Sequence, residues 1–197
     1  MPNVLTLTGP SGCGKSTAVR YLLSYRMKGW LPRVIPKYTT RERRADDGVE
    51  ITHVEEIPEF CDIVYEQYGV RYGLALRHLF EAVASGHTAI VIVNDVRAVE
   101  DIRASFGKLV RSIFVFRDSP NYERLQTLSQ ARGVFNTEII GRRFRKAQAI
   151  YRIYIENIHL FDHVLINWST RQYLKAQVGQ VLRGLKKDDL FWPLRER

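Results

Sequence analysis

Hydrophobic positions in this chain alternate between two periods. Residues 3 to 8, Asn-Val-Leu-Thr-Leu-Thr, form a short β-rich run that ends abruptly at Gly9-Pro10, a strand-to-loop signal. From Ser16 the period changes, with Val19, Leu22 and Leu23 at the i, i+3 and i+4 spacing of one helix face. Residues 88 to 94, Thr-Ala-Ile-Val-Ile-Val-Asn, are nearly continuously apolar and β-branched, as a strand covered on both faces should be. Leu109 to Phe116 and Asp162 to Asn167 read the same way.

Helical patterns separate these runs at about 75 to 86, 96 to 105, 119 to 131, 137 to 160 and 170 to 183. Strands alternating with helices imply right-handed crossovers and a parallel α/β sheet in three layers. Between Arg33 and Gly73 the pattern shifts to short β segments of mixed polarity with charged turns, including RERRADDG. That places an insertion at about residues 33 to 86 on a core made of 1 to 32 and 87 to 184. The terminal KKDDLFWPLRER reads as an exposed tail.

The junction of the first strand and first helix carries the chemistry. Gly9-Pro-Ser-Gly-Cys-Gly-Lys-Ser16 matches GxxxxGK[ST], a phosphate-binding loop, and it has the strand before it and helix after it that the motif requires. Gly9, Ser11, Gly12, Cys13, Gly14, Lys15, Ser16 and Thr17 are accordingly assigned to ATP. Backbone amides turn around the phosphates, Lys15 reaches the β and γ phosphates, Ser16 binds Mg²⁺, and the helix adds its positive dipole end. Cys13, at this helix N-terminus, is a place where a thiol pKa falls; the alternative is a small filler of the loop.

Composition narrows the class. Of the 197 residues, 45% are hydrophobic and 26% charged, an ordinary soluble balance. No run approaches the roughly 18 apolar residues of a spanning helix, and the N-terminal stretch lacks the basic region of a signal peptide, so a cytoplasmic protein with no membrane association is expected. Two cysteines exclude a disulfide framework, and the five histidines form no zinc-spaced cluster with them. The formal charge of +9 favours anionic partners, which phosphorylated ligands and nucleic acid both satisfy. Aromatic and basic residues interleave in RFRKAQAIYRIY, but the helical spacing of Phe144, Ile150, Tyr151 and Tyr154 is explained more simply as core.

The loop, the segment Tyr38-Thr39-Thr40-Arg41 with Arg44 and Gly48 behind it, and Arg71-Tyr72-Gly73 resemble guanylate kinase motifs in guanylate kinase order. So do Asp95 after the second core strand, Arg132-Gly133 followed by Thr137-Glu138 and Arg143, and Phe161-Asp-His-Val-Leu-Ile-Asn167. The resemblance covers nearly the whole chain. It implies a P-loop nucleotide kinase fold with a small acceptor-binding insertion and a lid near 132 to 143. It further implies that Arg41, Arg44 and Tyr72 hold an acceptor phosphate, that Arg132 and Arg143 close on the transferred group, and that Asp95 orders Mg²⁺ through water. Asp95 equally suits the cap of the helix after it.

Several family positions differ. The family's second phosphate-binding tyrosine falls on Ile51, and its guanine-reading serine, glutamate and hydroxyl residue fall on Lys37, Ile63 and Leu74. Arg97 stands where the family usually has Gln. Lys37 and Arg97 make the acceptor pocket more basic than a purine requires. The sequence therefore predicts an ATP- and Mg²⁺-dependent kinase acting on a small phosphate-bearing acceptor, GMP-like first. A sugar-phosphate kinase of the ribose 1,5-bisphosphate phosphokinase type is the leading alternative, a nucleic-acid-binding or nucleic-acid-phosphorylating protein the other, and monomer and homodimer stay open.

Overall fold

The computed structural model describes residues 3–10, 12–43, 47–67, 69–117, 122–131, 133–167 and 170–191, without the side chains of Arg124, Leu128, Arg143, Lys146, Ile150 and 187–191. Five strands form a parallel sheet: β1 (Val4–Thr8), β2 (Pro32–Val34), β7 (Thr88–Ile92), β8 (Val110–Phe116) and β9 (His163–Ile166), in spatial order β2-β7-β1-β8-β9. All five residues of β1 and of β7 are buried, which explains why both consist of apolar residues and threonine alone: helices cover both faces. Residues 33 and 34, inside the stretch assigned to the insertion, belong to β2 and pair with Ala89 and Ile90 on the sheet's edge.

Helix α1 (Lys15–Ser24) packs one face together with α6 (Arg171–Phe191), through Val19, Leu22, Leu174, Val178 and Leu182 against Leu5, Leu7 and Ile113. The other face is covered by α2 (Leu76–Ala84) and α3 (Val96–Phe106), with Leu79, Val99 and Ile102 against Val91 and Val93. Helix α6 runs through Lys186, Lys187, Asp188 and Asp189 to Phe191, so the expected tail begins later than its charge run suggested. Among the described residues no helix is long and apolar enough to cross a membrane.

A second, four-stranded sheet lies between β2 and α2. Strands β3 (Lys37–Thr39), β4 (Ile51–His53), β5 (Ile63–Gln67) and β6 (Val70–Leu74) are ordered β4-β3-β6-β5. Ile63 and Leu74 face each other in register across β5 and β6 and join Ile35, Leu79 and Val91 in one buried cluster. The small sheet and the parallel sheet thus share a core. Helices α4 (Tyr122–Gln130) and α5 (Thr137–Glu156) form a hairpin beyond β8; Tyr122 packs on Phe144, and Tyr154 is buried against Phe114. Of the four positions that the spacing assigned to the core, Tyr154 is buried, Phe144 and Tyr151 are half-buried with aromatic contacts to Tyr122 and Phe116, and the side chain of Ile150 lies outside the described residues.

Candidate functional site

The loop between β1 and α1 is built to receive an anion. Gly14 caps α1 at φ 104°, in the left-handed region, with no side-chain cap and no acidic residue in the first turn. The first amides of α1 therefore have no side-chain competitor for a phosphate. A Cβ on Gly14 would run into the side-chain amide of Asn167. That amide donates to the Cys13 carbonyl at 2.8 Å and holds the loop's inner wall. Lys15 Nζ donates to the carbonyls of Gly9 (2.7 Å) and Pro10 (2.8 Å), so its charge sits in the mouth of the loop. Cys13 is buried, and burial pushes its thiol above the usual range. It is the loop filler, not a reactive thiolate.

The residues present are of the kinds that a nucleotide phosphate chain with a divalent cation requires: Lys15 and the α1 amides offer positive charge and donors, and Ser16 on the first turn offers a hydroxyl oxygen. Ser16 Oγ donates to Glu50 Oε1 at 2.7 Å, which brings a carboxylate of the small sheet onto the loop. Among the described residues no group of three or more His, Cys, Asp or Glu side chains is arranged to hold a metal ion. A cation here therefore relies on phosphate oxygens, water and few protein ligands, the usual mode for magnesium.

On the small sheet, Lys37 is 4% exposed, and its Nζ stands 5.0 Å from the centroid of the Tyr72 ring. Burial, then the charges of Lys15 and Arg41, lower its pKa to about 7, against a smaller opposing pull from Glu50. Lys37 is thus close enough to both Lys15 and Arg41 to feel their charges. Tyr72 stacks on Tyr65, ring centroids 5.3 Å apart, extending the wall below the lysine. Arg41 is pinned: its guanidinium meets Asp47 Oδ1 at 2.5 Å and the carbonyl of Glu42 at 2.8 Å. The His53 ring lies between the Arg41 carbonyl (2.8 Å from Nδ1) and Asp47 Oδ2 (3.0 Å from Nε2), and so braces the carboxylate that holds the arginine.

Asp95 follows β7 as expected, but its Oδ1 accepts the amide of Ala98 at 3.0 Å: it is the cap of α3. Arg97, on the first turn of that helix, has an exposed side chain. Ser11, Arg44 and Arg132 lie outside the described residues. Arg143 is on α5, its side chain not described. The structure thus links Ser16 to Glu50, joins Glu50 to Lys37 through the backbone, and sets Lys37 over Tyr72, with Lys15 and Arg41 near enough to act on the lysine's charge. It adds Glu50, Asp47, His53 and Tyr65, which the sequence reading had not singled out. Asp47 belonged to a charged turn that reads as solvated, and Glu50 meets its partner across 34 residues of chain, beyond any local spacing signal.

No protein-family model matches the chain. The guanylate kinase of Dechloromonas aromatica (strain RCB) is 30% identical over 182 residues, covering 87% of this chain and 84% of that relative. The guanylate kinase of Thermobifida fusca (strain YX) is 32% identical over 182 residues, covering 87% of both. The crystal structure of guanylate kinase from Anaplasma phagocytophilum superposes with a TM-score of 0.62 at 18% identity, over 93% of this chain and 85% of that one, a likeness of fold. Phosphate loop, two-sheet architecture and relatedness along most of both sequences lead to one conclusion: the chain belongs to the guanylate kinase family of phosphotransferases.

Proposed function

We propose that this protein transfers the γ-phosphoryl group of ATP to a small phosphate-bearing acceptor, with a nucleoside monophosphate of GMP type as the first candidate. The observation that carries the reading is the line of buried or pinned cations from Lys15 through Lys37 to Arg41, which joins a nucleotide-phosphate loop to a second anion site.

Phosphoryl transfer asks a protein mainly for positioning and charge neutralisation. Lys15 and the α1 amides hold the donor phosphates, with Ser16 and Thr17 on the metal side of the loop. Magnesium, when bound, supplies further neutralisation of the phosphate oxygens. Arg41, kept in place by Asp47, and Tyr72 seat the acceptor phosphate; Arg44 is assigned to it by its place in the chain. Arg132 and Arg143, which bracket the turn from α4 to α5, are assigned to the transferred group on the same ground.

One observation favours a second reading, a sugar-phosphate acceptor of the ribose bisphosphate kind. At two positions where the family reads guanine, this chain has the apolar register pair Ile63 and Leu74, and at a third the buried cation Lys37. A pocket without hydrogen-bonding partners for a base discriminates poorly among bases, while an added cation rewards a second anionic group.

The test is ADP release from Mg-ATP against GMP, dGMP, AMP, ribose 5-phosphate, ribose 1,5-bisphosphate and a 5′-phosphorylated oligonucleotide, with Lys15→Ala as control. Turnover strongest with GMP or dGMP supports the first reading. Turnover confined to the ribose phosphates selects the second, and none with any acceptor overturns the proposal.

A further inference from the structure

Glu50 has a position that catalytic reasoning from the sequence does not supply. Its side chain is 8% exposed, and its Oε1 accepts the Ser16 hydroxyl at 2.7 Å. A carboxylate so buried is costly unless it is paired, which gives this contact a purpose beyond surface chemistry. The arrangement is held from two sides. The Glu50 carbonyl accepts the Lys37 amide at 3.2 Å, fixing the backbone to β3. Gly48 leaves room for the carboxylate, because a Cβ there would overlap Glu50 Oε2.

We propose that Glu50 is a positioning residue for the divalent cation of the phosphate loop, acting through the Ser16 hydroxyl, a proposal that rests on the magnesium-nucleotide reading above. A serine hydroxyl has one proton to donate and two lone pairs to offer. With the proton committed to Glu50, both lone pairs of Ser16 Oγ are directed away from the carboxylate and are available to a cation. The nearby negative charge strengthens that hold, as outer carboxylates do for metal ligands in general. Asp95 Oδ1 accepts the Ala98 amide as the cap of α3. Glu50 stands beside β4 on the small sheet, so the same contact ties the cation to the sheet that seats the acceptor.

Calorimetric titration with ADP, with and without Mg²⁺, tests this without any turnover. Wild type is expected to bind ADP more tightly with Mg²⁺. Glu50→Ala is expected to lose about tenfold or more of that enhancement, with metal-free ADP affinity unchanged. Glu50→Asp keeps the charge but withdraws the carboxylate by one methylene; it should lose the enhancement likewise, and it decides the matter if Glu50→Ala does not fold. Glu50→Gln, whose amide oxygen can still accept from Ser16, should retain part. Because Glu50 acts through Ser16, Glu50→Ala added to Ser16→Ala should cost nothing further. Full Mg²⁺ enhancement in Glu50→Ala or Glu50→Asp, or an additive double variant, overturns the proposal. Absence of any enhancement in wild type overturns the magnesium-nucleotide reading itself, and this inference with it.

Discussion

Asn167 donates its side-chain amide to the carbonyl of Cys13 at 2.8 Å, a single hydrogen bond across 154 residues of chain. It joins the end of β9 to the phosphate loop, so the last strand of the parallel sheet braces the first functional turn.

Replacing Asn167 by Leu leaves the Cys13 carbonyl without that donor. A lost hydrogen bond of this kind costs about 1 to 2 kcal/mol, or roughly a tenfold change in an equilibrium constant. ADP affinity should fall by about that factor while the acceptor KM stays unchanged, as titration and steady-state kinetics will show.

Lys15→Ala removes the only loop side chain that brings a full positive charge to the phosphates, and it removes little packing. Turnover should vanish while the thermal unfolding midpoint stays within a few degrees of wild type, a change expected of a partly exposed position.

Loss of Asp47 frees the guanidinium of Arg41 without touching the donor loop. Asp47→Ala should raise the acceptor KM about tenfold and leave the ATP KM near its original value, the signature of a loosened seat for one substrate. Equal effects on both would refute the role given to Asp47.

If Lys37 faces the acceptor as proposed, acceptor binding should depend on pH. With its pKa lowered to about 7 in the folded protein and 10.5 as the ordinary value, the unfolded chain binds more protons between those limits. Stability should therefore rise with pH across that window, since the penalty for a buried charge fades as the folded lysine loses its proton. Acceptor affinity should move oppositely, weakening as pH rises through about 7. Lys37→Met should flatten both profiles, as denaturation and KM measured at several pH values will reveal.

Asp162 belongs to a segment that resembles a family motif, yet its work is structural. Its Oδ2 accepts from the Ser112 amide (2.7 Å) and from Arg103 (2.9 Å), stitching α3 to β8 at the start of β9. Asp162→Ala should destabilise the fold by about 2 kcal/mol in chemical denaturation and leave both KM values intact.

The parallel sheet was legible because its central strands are covered on both faces and so carry their signal in composition, as Thr88 to Ile92 shows. The phosphate loop was legible because its glycines and lysine are adjacent in sequence. Glu50 was not, since its partner Ser16 lies 34 residues away, and Asp47 and His53 were not, since their contacts with Arg41 depend on how an irregular turn folds back, which no period of the chain encodes. Asp95 shows a different limit. Its position after β7 suits both the ordering of magnesium through water and a helix cap, and the hydrogen bond from Ala98 to Oδ1 shows the cap, a role that the residue type alone did not single out.

The register pair Ile63 and Leu74 bears on how this protein could change over evolutionary time. Both side chains belong to the core shared by the two sheets, so installing Glu at 63 or Ser at 74 would insert a polar group among Ile35, Leu79 and Val91. An unpaired buried hydroxyl costs about 1 to 3 kcal/mol and a carboxylate more, against a total stability of about 5 to 15 kcal/mol. Reacquiring a base-reading pocket one substitution at a time would pass through weakened intermediates. Any such change at these two positions would thus be judged by the folding of the domain as well as by what the pocket gains.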